Sequence, residues 1–439
     1  MRFSRRQALV SLGAVGMAAA APAEAQLTVT IDRGTVRALP IAVSPFAGSL
    51  AAEPDMGLRI AEVIAANLDR SGLFRTIDRQ AYIQGADDLA RNGPRFADWR
   101  QINAEALVAG QIVPGDGNTM TVEFRLFDVL TASERRGLRY TAPVGDWRRV
   151  AHKISDEVYG RITGESGYFD TRIVYVAETG QATQRVKRLA IMDQDGANHR
   201  FLTRGEGLVM TPRFAPDGET IAYLAYRGNE AQVALIDAAG GSERMLGSFD
   251  GMTFAPRFSP DGRTLALSLA TGGATSLHLF DLRTQAMTRL TSGPHIDTSP
   301  SFSPDGGRIV FNSDRAGSPQ LYVMDLGSGR TERISFGSGR YASPAWSPRG
   351  DLVTFVNQQG GSFHVGLMRP DGGDERLITR SYLDDGPRFA PNGRVVVFER
   401  QEQGTGRNRL FSIDVSGFNL REVATPLDAT DPDWSPLRR

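Results

Sequence analysis

The most regular feature of the chain is a short pattern of apolar and polar positions that recurs along its second half. Each copy has a proline, then a variable residue, then an aromatic residue, and a Ser-Pro-Asp-Gly-like turn follows in the first five copies. The leading prolines are Pro212, Pro256, Pro300, Pro344, Pro387 and Pro432. They lie 44, 44, 44, 43 and 45 residues apart. A period of this length with one turn per unit is typical of the four-stranded blades of a β-propeller.

The residues around each copy predict four strands per unit. The aromatic residue, Phe214 in the first copy, is expected in mid-strand, where it can pack between neighbouring blades. In the turn, proline fixes φ, aspartate accepts a hydrogen bond from its own backbone and glycine takes a positive φ. An apolar strand such as Ile221–Tyr226 follows, then one that ends at Asp237, then a more polar strand that ends near Leu246. Because polarity rises along the unit, we expect the last strand to face water.

The two ends of the repeat region predict how the ring closes. Ile173–Glu178 begins a unit that lacks its opening strand, whereas Asp431–Pro436 is an opening strand with no unit after it. Together they complete one unit, so we predict an all-β six-bladed propeller over residues 171–439 whose C-terminal strand pairs with the first blade. A linear stack of repeats is the alternative, and the split first unit argues against it.

Residues 35–163 have a different pattern and predict a separate α/β domain. The apolar positions between Leu58 and Leu68 recur every three or four residues, as in an amphipathic helix. Gly164 is a natural helix stop, so residues 164–170 are predicted as the linker to the propeller. The predicted strands are Leu39–Val43, Leu73–Ile77, Ala106–Ile112, Thr119–Asp128 and Ser133–Thr141, and the further helices are Phe96–Asn103 and Trp147–Ile162.

The first 25 residues predict an export signal. Three arginines precede the apolar run Ala8–Ala21, and Ala23-Glu24-Ala25 is a small-x-small cleavage site. Ser4–Gln7 also resembles a twin-arginine signal, so the twin-arginine and general secretion routes both stay open. No cysteine follows the cleavage site for a lipid anchor, and no later stretch has the roughly 20 apolar residues of a membrane span. We therefore expect a soluble exported protein without direct membrane insertion.

The mature chain is expected to begin at Gln26 with a segment, residues 26–34, in which apolar and polar residues alternate. Leu27, Val29 and Ile31 would lie on one face of a strand. Such a strand at a chain terminus could add to the sheet of a partner protein. Pairing within the chain's own N-terminal domain is the alternative, and the alternation leaves both open.

Composition excludes several classes of function. Lysine plus arginine and aspartate plus glutamate number 50 each, so the formal net charge is zero and nothing favours a nucleic-acid partner. The sequence has no cysteine, which excludes disulfides, thiolate catalysis and cysteine metal sites. Its 48 glycines are spread over turns, as expected for many short strands.

Sequence motifs predict no catalytic residue, no cofactor and no metal. The sequence has no Gly-x-Ser-x-Gly, so the serine peptidases that carry similar blades would have no nucleophile here. The five histidines lack the spacing of a zinc site. Residues Asp193-Gln194-Asp195-Gly196 resemble the start of a calcium loop, but the later acidic ligands are missing and a hairpin turn is the better interpretation. We therefore predict that the protein is not an enzyme.

One mouth of the predicted channel is the best candidate for a functional surface. In a propeller, the loops that enter the innermost strands crowd around one mouth of the channel. Here these loops combine aromatic, methionine, arginine and histidine residues with acidic ones. Aromatic residues, methionine and arginine are enriched in protein interfaces, so we predict a binding surface.

Four stretches identify a family resemblance over all of the mature chain. They are Ile31-Asp32-x-Gly34, Pro40-Ile41-x-Val43-x-Pro45-Phe46, the junction from Thr163 to Val176, and the terminal Trp434-Ser435-Pro436. The repeat alone is common to many propellers, whereas the junction and the ending are specific. With these stretches the chain resembles the TolB family of the Tol-Pal cell-envelope system.

The resemblance implies a periplasmic protein that supports outer-membrane integrity and constriction during cell division. The inner-membrane protein TolA would bind the mature N-terminal segment and the lipoprotein Pal would bind the propeller mouth, the two antagonistically. The implied TolA-binding residues are Gln26, Leu27, Thr28, Val29, Thr30, Ile31, Asp32 and Arg33. The implied Pal-binding residues are Thr211, Met252, Thr253, Phe254, Ala255, His295, Asp297, Thr298, Arg340, Tyr341, Asp384, Asp385 and Thr430.

The mouth loops depart from the family pattern at two positions. Met252 and Phe254 stand where a histidine and a small residue are usual, so the Pal-binding residues are carried over by position only. A periplasmic propeller enzyme or a carbohydrate-binding protein that uses the acidic mouth residues is the alternative function.

Overall fold

The computed structural model describes residues 37–180, 184–228, 230–249 and 251–438, except for the side chains of residue 248 and residues 252–255. The predicted export signal, residues 1–25, and the predicted partner-binding segment, residues 26–34, lie outside these ranges. Within them the chain forms an N-terminal α/β domain and a β-propeller, as the sequence predicts.

The N-terminal domain is a mixed sheet of five strands with helices on both faces. The strand order is β2-β1-β3-β4-β5, with β1 parallel to β2 and β3 and the remaining pairs antiparallel. Side chains alternate across the sheet, so Val108 packs with the two long helices whereas Leu107 packs with the two short ones. The elements are β1 (Leu39–Val43), α1 (Met56–Arg70), β2 (Phe74–Thr76), α2 (Ala86–Asn92), α3 (Phe96–Gln101), β3 (Ala106–Pro114), β4 (Thr119–Asp128), β5 (Ser133–Pro143) and α4 (Trp147–Thr163).

The two long helices form where the apolar spacing predicts them. In α1, Ile60, Ile64 and Leu68 are buried at intervals of four residues, and the helix packs against α4. Gly164 ends α4 in the left-handed conformation, with a φ of 74°. The sequence does not predict α2, because its seven residues bury only Leu89 and give no periodic pattern.

The propeller consists of short strands that form four four-stranded sheets and one sheet of eight strands. The four-stranded sheets are β29-β6-β7-β8, β9 to β12, β13 to β16 and β17 to β20, and the larger sheet contains β21 to β28. The bounds are β6 (Arg172–Thr179), β7 (Val186–Asp193), β8 (Arg200–Phe201), β9 (Val209–Phe214), β10 (Thr220–Arg227), β11 (Glu230–Asp237), β12 (Arg244–Ser248), β13 (Met252–Phe258), β14 (Thr264–Thr271), β15 (Ala274–Asp281), β16 (Met287–Arg289), β17 (Asp297–Phe302), β18 (Arg308–Ser313), β19 (Gln320–Asp325), β20 (Thr331–Arg333), β21 (Arg340–Trp346), β22 (Val353–Gln359), β23 (Ser362–Met368), β24 (Arg376–Leu377), β25 (Leu383–Phe389), β26 (Val395–Gln401), β27 (Asn408–Asp414), β28 (Arg421–Val423) and β29 (Asp428–Trp434).

The C-terminal strand closes the ring, as predicted. The inner strands contact one another in the order β9, β13, β17, β21, β25 and β29, and β29 in turn contacts β9. Strand β29 pairs antiparallel with β6, placing Thr430 opposite Val176 and Trp434 opposite Ile173. A linear stack of repeats would leave these two strands apart, so that alternative is wrong.

The repeat aromatic residues do not lie in mid-strand, which corrects the prediction. Each is the last residue of its inner strand, because the four-residue turn starts immediately after it, as at Ala215 whose N–H bonds to the carbonyl of Thr220. The aromatic residues line one end of the channel and still pack between neighbouring blades, as predicted, since Phe214 shares an apolar cluster with Val174 of the first blade and Ile221 of the second. They are Phe214, Phe258, Phe302, Trp346, Phe389 and Trp434.

The predicted linker, residues 164–170, is packed between the two domains. Tyr168, Phe169 and Asp170 are buried, and the ring of Tyr168 contacts that of Trp434 edge-on at a centroid distance of 5.8 Å. The carboxylate of Asp156 on α4 accepts hydrogen bonds from the backbone N–H groups of Phe169 and Asp170 at 2.7 and 3.0 Å. The N-terminal domain and the propeller consequently share one hydrophobic core across this joint.

Candidate functional site

Each inner strand has the same backbone irregularity near its middle, just before the repeat proline. In five of the six inner strands the residue before this proline has a positive φ, between 48° and 54° at Thr211, Ser299, Ser343 and Asp431 and 61° at Gly386. The register of each inner strand shifts at this point, as a β-bulge produces. A positive φ at a non-glycine residue costs about 1–3 kcal/mol, and such strain concentrates at functional sites. The bulges therefore mark the mouth as the region to examine for binding.

Four large apolar side chains are exposed around this mouth, and we call them the apolar rim: Leu208, Ile296, Phe336 and Tyr382. Their exposed fractions lie between 39% and 69%. They occupy four of the six loops that lead from an outer strand into the next inner strand. Exposed apolar groups gathered on one surface are typical of binding sites. The loops predicted to form the mouth include Leu208, Ile296 and Tyr382, but the predicted contact residues include none of the four, and Phe336 lies outside those loops. An apolar residue inside a polar loop was a usable signal.

The predicted Pal-binding residues separate into exposed and buried groups. Arg340 is exposed, and Thr211, His295 and Thr298 are partly exposed beside the apolar rim. The hydroxyl of Thr211 is itself buried and has no hydrogen-bond partner among the described residues. The side chains of His295, Thr298 and Arg340 are available to a partner, whereas Thr211 is exposed only through its other atoms. The backbone of residues 252–255 forms the start of β13, and their side chains lie outside the described part of the chain.

Two predicted contact residues, Asp297 and Asp384, are instead buried in ion pairs within the chain. Both oxygens of Asp297 accept hydrogen bonds from Arg315 at 3.0 Å. Arg400 donates to both oxygens of Asp384, at 2.7 and 2.9 Å. Bidentate pairing of this kind fixes the inner strand to its neighbour and leaves no free carboxylate for a partner.

Tyr341 and Thr430 are also buried, which differs from the surface role predicted for them. The Tyr341 hydroxyl donates to Glu375, and burial together with this carboxylate raises the pKa of the phenol above its ordinary value. The Thr430 hydroxyl donates to Glu178 at 3.3 Å. Because their polar atoms are bonded inside the protein, these side chains shape the mouth and do not face a partner directly.

A group of carboxyl side chains lies just inside the mouth: Asp385, Glu399 and Asp431. Ser343 donates to Asp385 at 2.9 Å, and the N–H of Asp431 donates to Glu399. Burial and mutual repulsion raise the pKa of Glu399, and burial also raises the pKa of Asp385. Such carboxyl groups retain protons at higher pH than free ones do.

A second polar cluster lies at the domain joint and contains the side chains His152, Asp193 and Asp195. Among the described residues these three form the group whose ligand atoms are close enough to hold a metal ion. The His152 Nε2 lies 3.9 and 3.8 Å from the two carboxylates. However, Arg148 already donates to Asp195 and Asn198 to Asp193, so the carboxylates have partners. The turn predicted at residues 193–196 is confirmed.

None of the helices in the described ranges combines the length and the apolar character needed to cross a membrane.

Family models match both parts of the chain. The model described as the TolB beta propeller domain matches residues 159–438, and the one described as the TolB amino-terminal domain matches residues 27–135. A Tol-Pal system protein TolB from Paramagnetospirillum magneticum is 59% identical over 428 residues, which cover 96% of each chain. The protein of the same name from Rhizorhabdus wittichii is 59% identical over 446 residues, which cover 100% of each chain.

A solved structure has the same arrangement of both domains. The crystal structure of TolB from Acinetobacter baumannii superposes with a TM-score of 0.82 at 27% sequence identity. The superposition covers 93% of this chain and 99% of that chain.

Proposed function

The chain belongs to the TolB family, which makes it a component of the Tol-Pal system, and we propose that it acts there as a non-enzymatic periplasmic protein with two partners. Pal binds at the channel mouth and TolA binds through residues 26–33. By linking these partners the protein supports outer-membrane integrity and constriction during cell division. The observation that carries the proposal is the apolar rim, exposed beside Arg340 and His295 on a rigid ring.

We infer that the ring has six blades. The eight-stranded sheet supports this count, because β21 to β24 and β25 to β28 repeat the same four-strand order and only one parallel pair, Phe363 with Leu383, joins them. Six is also the number of inner strands around the channel. The proposed domain limits are residues 1–25 for the signal peptide, 26–34 for the partner-binding segment, 35–163 for the α/β domain, 164–170 for the joint and 171–439 for the propeller.

The mouth suits a protein partner better than a small polar ligand. Its apolar rim supplies the kind of anchors that dominate protein interfaces, while Arg340 supplies an exposed charge for orientation. We propose that Thr211, His295, Thr298 and Arg340 contact Pal together with the rim. Residues 252–255 are retained by position. The side chains that hold the mouth in shape are Asp297, Tyr341, Asp384, Asp385 and Thr430, whose polar atoms are bonded within the chain.

Calorimetric titration of the mature chain with the soluble domain of Pal tests the mouth. Ile296→Glu places a charge in the rim and is expected to weaken binding by about tenfold or more, since removing an interface anchor costs 2 kcal/mol or more. Arg340→Glu should also weaken it. The matched control is Met287→Glu, an exposed apolar residue on the outer strand β16, which should bind as the unaltered chain does. Equal affinities for all four proteins would contradict the proposal.

The TolA proposal rests on the alternating segment, residues 26–33, and on the family to which the chain belongs. A chain that begins at residue 34 should no longer recover TolA in a pull-down, because the strand that adds to the partner's sheet is missing. Its affinity for Pal should stay unchanged. Recovery of TolA by the shortened chain would disprove this assignment.

The raised pKa values of Glu399 and Asp385 favour one alternative, an enzyme or a carbohydrate-binding protein that uses the acidic mouth. Asp385 already accepts a hydrogen bond from Ser343, and Glu399 accepts one from the backbone N–H of Asp431, which argues for a structural role. Incubation of the mature protein with cell-wall fragments, with and without divalent cations, distinguishes the two. Release of soluble products, or retention on the fragments without Pal, would favour the alternative.

A further inference from the structure

The residue between the repeat proline and the repeat aromatic residue occupies the same height in every inner strand. Its side chain can reach the neighbouring inner strand, since Asp433 accepts a hydrogen bond from the N–H of Phe214 at 2.8 Å and Ser301 accepts one from the N–H of Trp346 at 3.1 Å. These positions therefore form one layer across the channel, which we call the arginine layer. Its members are Arg213, Arg257, Ser301, Ala345, Arg388 and Asp433.

The arginine layer carries more positive than negative charge. Arg213, Arg257 and Arg388 are 4%, 8% and 7% exposed, whereas Asp433 is the carboxylate of the layer. Burial lowers the pKa of all three arginines, and the pKa of Arg257 is lowered further by the other two cations. Buried like charges at this spacing are unfavourable unless an anion compensates them.

The hydrogen bonds of the three arginines are incomplete. Each donates through Nη1 to the carbonyl of the proline that precedes it, which is a neutral acceptor. The Nε atoms of Arg213 and Arg388 are buried and have no hydrogen-bond partner among the described residues. The nearest approach to Asp433 is 3.8 Å, from the Nε of Arg388. The layer therefore retains guanidinium N–H donors that have no partner among the described residues.

The carboxyl groups nearer the mouth do not pair closely with the arginines of the layer. Asp385, Glu399 and Asp431 interact electrostatically with its members. However, Asp385 accepts a hydrogen bond from Ser343 and Glu399 accepts one from the N–H of Asp431. Asp433 is held by the backbone of Phe214. Among the described residues, Arg257 therefore has no carboxylate within ion-pair distance.

A cavity of about 450 Å³ adjoins the layer at the end of the channel opposite the apolar rim. The six repeat aromatic residues and the prolines of the six turns line it, and Arg257 and Ser301 lie at its inner end. Aromatic and proline walls favour an apolar body, while the guanidinium favours a carboxylate. A ligand that joins an apolar body to a carboxylate head meets both preferences.

We propose that this cavity binds a small amphipathic carboxylate, with its anionic head on Arg257 and its apolar or aromatic body against the repeat aromatic residues. Arg213 and Arg388 add positive potential behind the head group, and the small side chains of Ser301 and Ala345 leave space beside it. The site does not depend on the proposed binding of Pal, because it lies at the end of the inner strands opposite the apolar rim.

The test is calorimetric titration of the mature chain with 4-phenylbutyrate. Its uncharged amide serves as the control ligand and should bind at least about tenfold more weakly. Arg257→Gln should reduce affinity for the carboxylate by about tenfold or more, while the same change at the exposed Arg330 should leave it unaltered. Equal binding of acid and amide, or equal binding to the Arg257→Gln and unaltered chains, would overturn the proposal, as would no binding.

A second variant keeps the test valid if Arg257→Gln does not fold. Ser301→Asp retains an acceptor for the N–H of Trp346, as Asp433 does for Phe214 at the equivalent position. It adds a negative charge beside Arg257 without removing an arginine. We expect it to abolish binding of 4-phenylbutyrate with a circular dichroism spectrum like that of the unaltered chain. Undiminished binding to this folded variant would refute the site.

Discussion

At the scale of single residues, the buried His152 at the domain joint makes the stability of the protein depend on pH. It is fully buried, its Nδ1 lies 2.8 Å from the amide of Asn67, and its Nε2 has no hydrogen-bond partner among the described residues. Burial lowers its pKa to about 4, although the carboxylate of Asp195 opposes the shift. The groups that face it are Asp193, Asp195, Arg148, Arg438 and Arg70. The folded protein therefore holds this imidazole neutral.

The lowered pKa predicts a loss of stability in acid. The unfolded chain binds a proton at His152 as pH falls through about 6.5, whereas the folded chain does so only near pH 4, so this histidine's contribution decreases between these values. The decrease amounts to about 3 kcal/mol at most. Denaturant unfolding at pH 7.5, 5.5 and 4.5 measures it. His152→Gln should flatten this slope, while His295→Gln should leave it as it is. An identical slope for both variants would contradict the prediction.

Asp156 fixes the chain as it passes from one domain to the other. Its carboxylate accepts two backbone hydrogen bonds, from Phe169 and Asp170. Asp156→Ala leaves both buried donors unsatisfied and should lower the free energy of unfolding by about 2–4 kcal/mol. Denaturant unfolding measures this, with Asp116→Ala in an exposed turn as the control. A change below about 0.5 kcal/mol would show that the joint does not depend on these bonds.

Residue roles at the mouth could be predicted only in part. The exposed Arg340 follows from its loop position, but Asp297 and Asp384 look equally available in the sequence. Arg400 lies on the strand that pairs with that of Asp384, and Arg315 lies just after the strand that pairs with that of Asp297, so recognising the burial requires the pairing register. The positive φ of Thr211 and Ser299 could not be predicted either, because threonine and serine rarely adopt a positive φ and the sequence gives no signal for it.

At the scale of elements, the last strand holds the ring closed. Strand β29 pairs with β6, and the indole of Trp434 donates to the hydroxyl of Thr171 at 2.8 Å while packing against Tyr168. Closure removes the free edge that a terminal blade would otherwise expose. The strand therefore contributes far more stability than its seven residues suggest.

Removing residues 430–439 tests this role. The shortened chain loses the pairing at Thr430 and Trp434 and should unfold with a broader transition at a lower temperature. Trp434→Ala in the full chain should cost about 3–5 kcal/mol, as expected for a buried aromatic side chain. Scanning calorimetry measures both. A shortened chain that melts as sharply and at the same temperature as the intact one would contradict closure by β29.

Elements with strong local signals were predictable, and those set by distant contacts were not. The turns follow from Pro-Asp-Gly, and α1 and α4 follow from the spacing of their apolar residues. The short helix α2 and the bulges of the inner strands depend on packing that the sequence does not display. The joint at residues 164–170 looked like a linker because its glycines conceal the burial of Tyr168 and Phe169.

At the scale of the whole molecule, the ring separates two surfaces. The apolar rim and the starts of the inner strands lie at one end of the channel, and the aromatic cavity lies at the other, beside the joint. The ion pair between Arg349 and Glu165, at 3.1 Å, and the hydrogen bond from Asn392 to Ser166, at 3.2 Å, fix the joint against this second end. The proposed Pal site is therefore free of the N-terminal domain.

Hydrogen–deuterium exchange of the mature chain, with and without the soluble domain of Pal, tests the proposed mouth most directly. The account predicts slower exchange in residues 292–297, 336–341 and 380–384 when Pal is present, because these loops carry the rim and enter the inner strands. The outer strands β12, β16 and β20 should exchange at unchanged rates. Protection confined to the outer strands or to the N-terminal domain, with the mouth loops unaffected, would contradict the account.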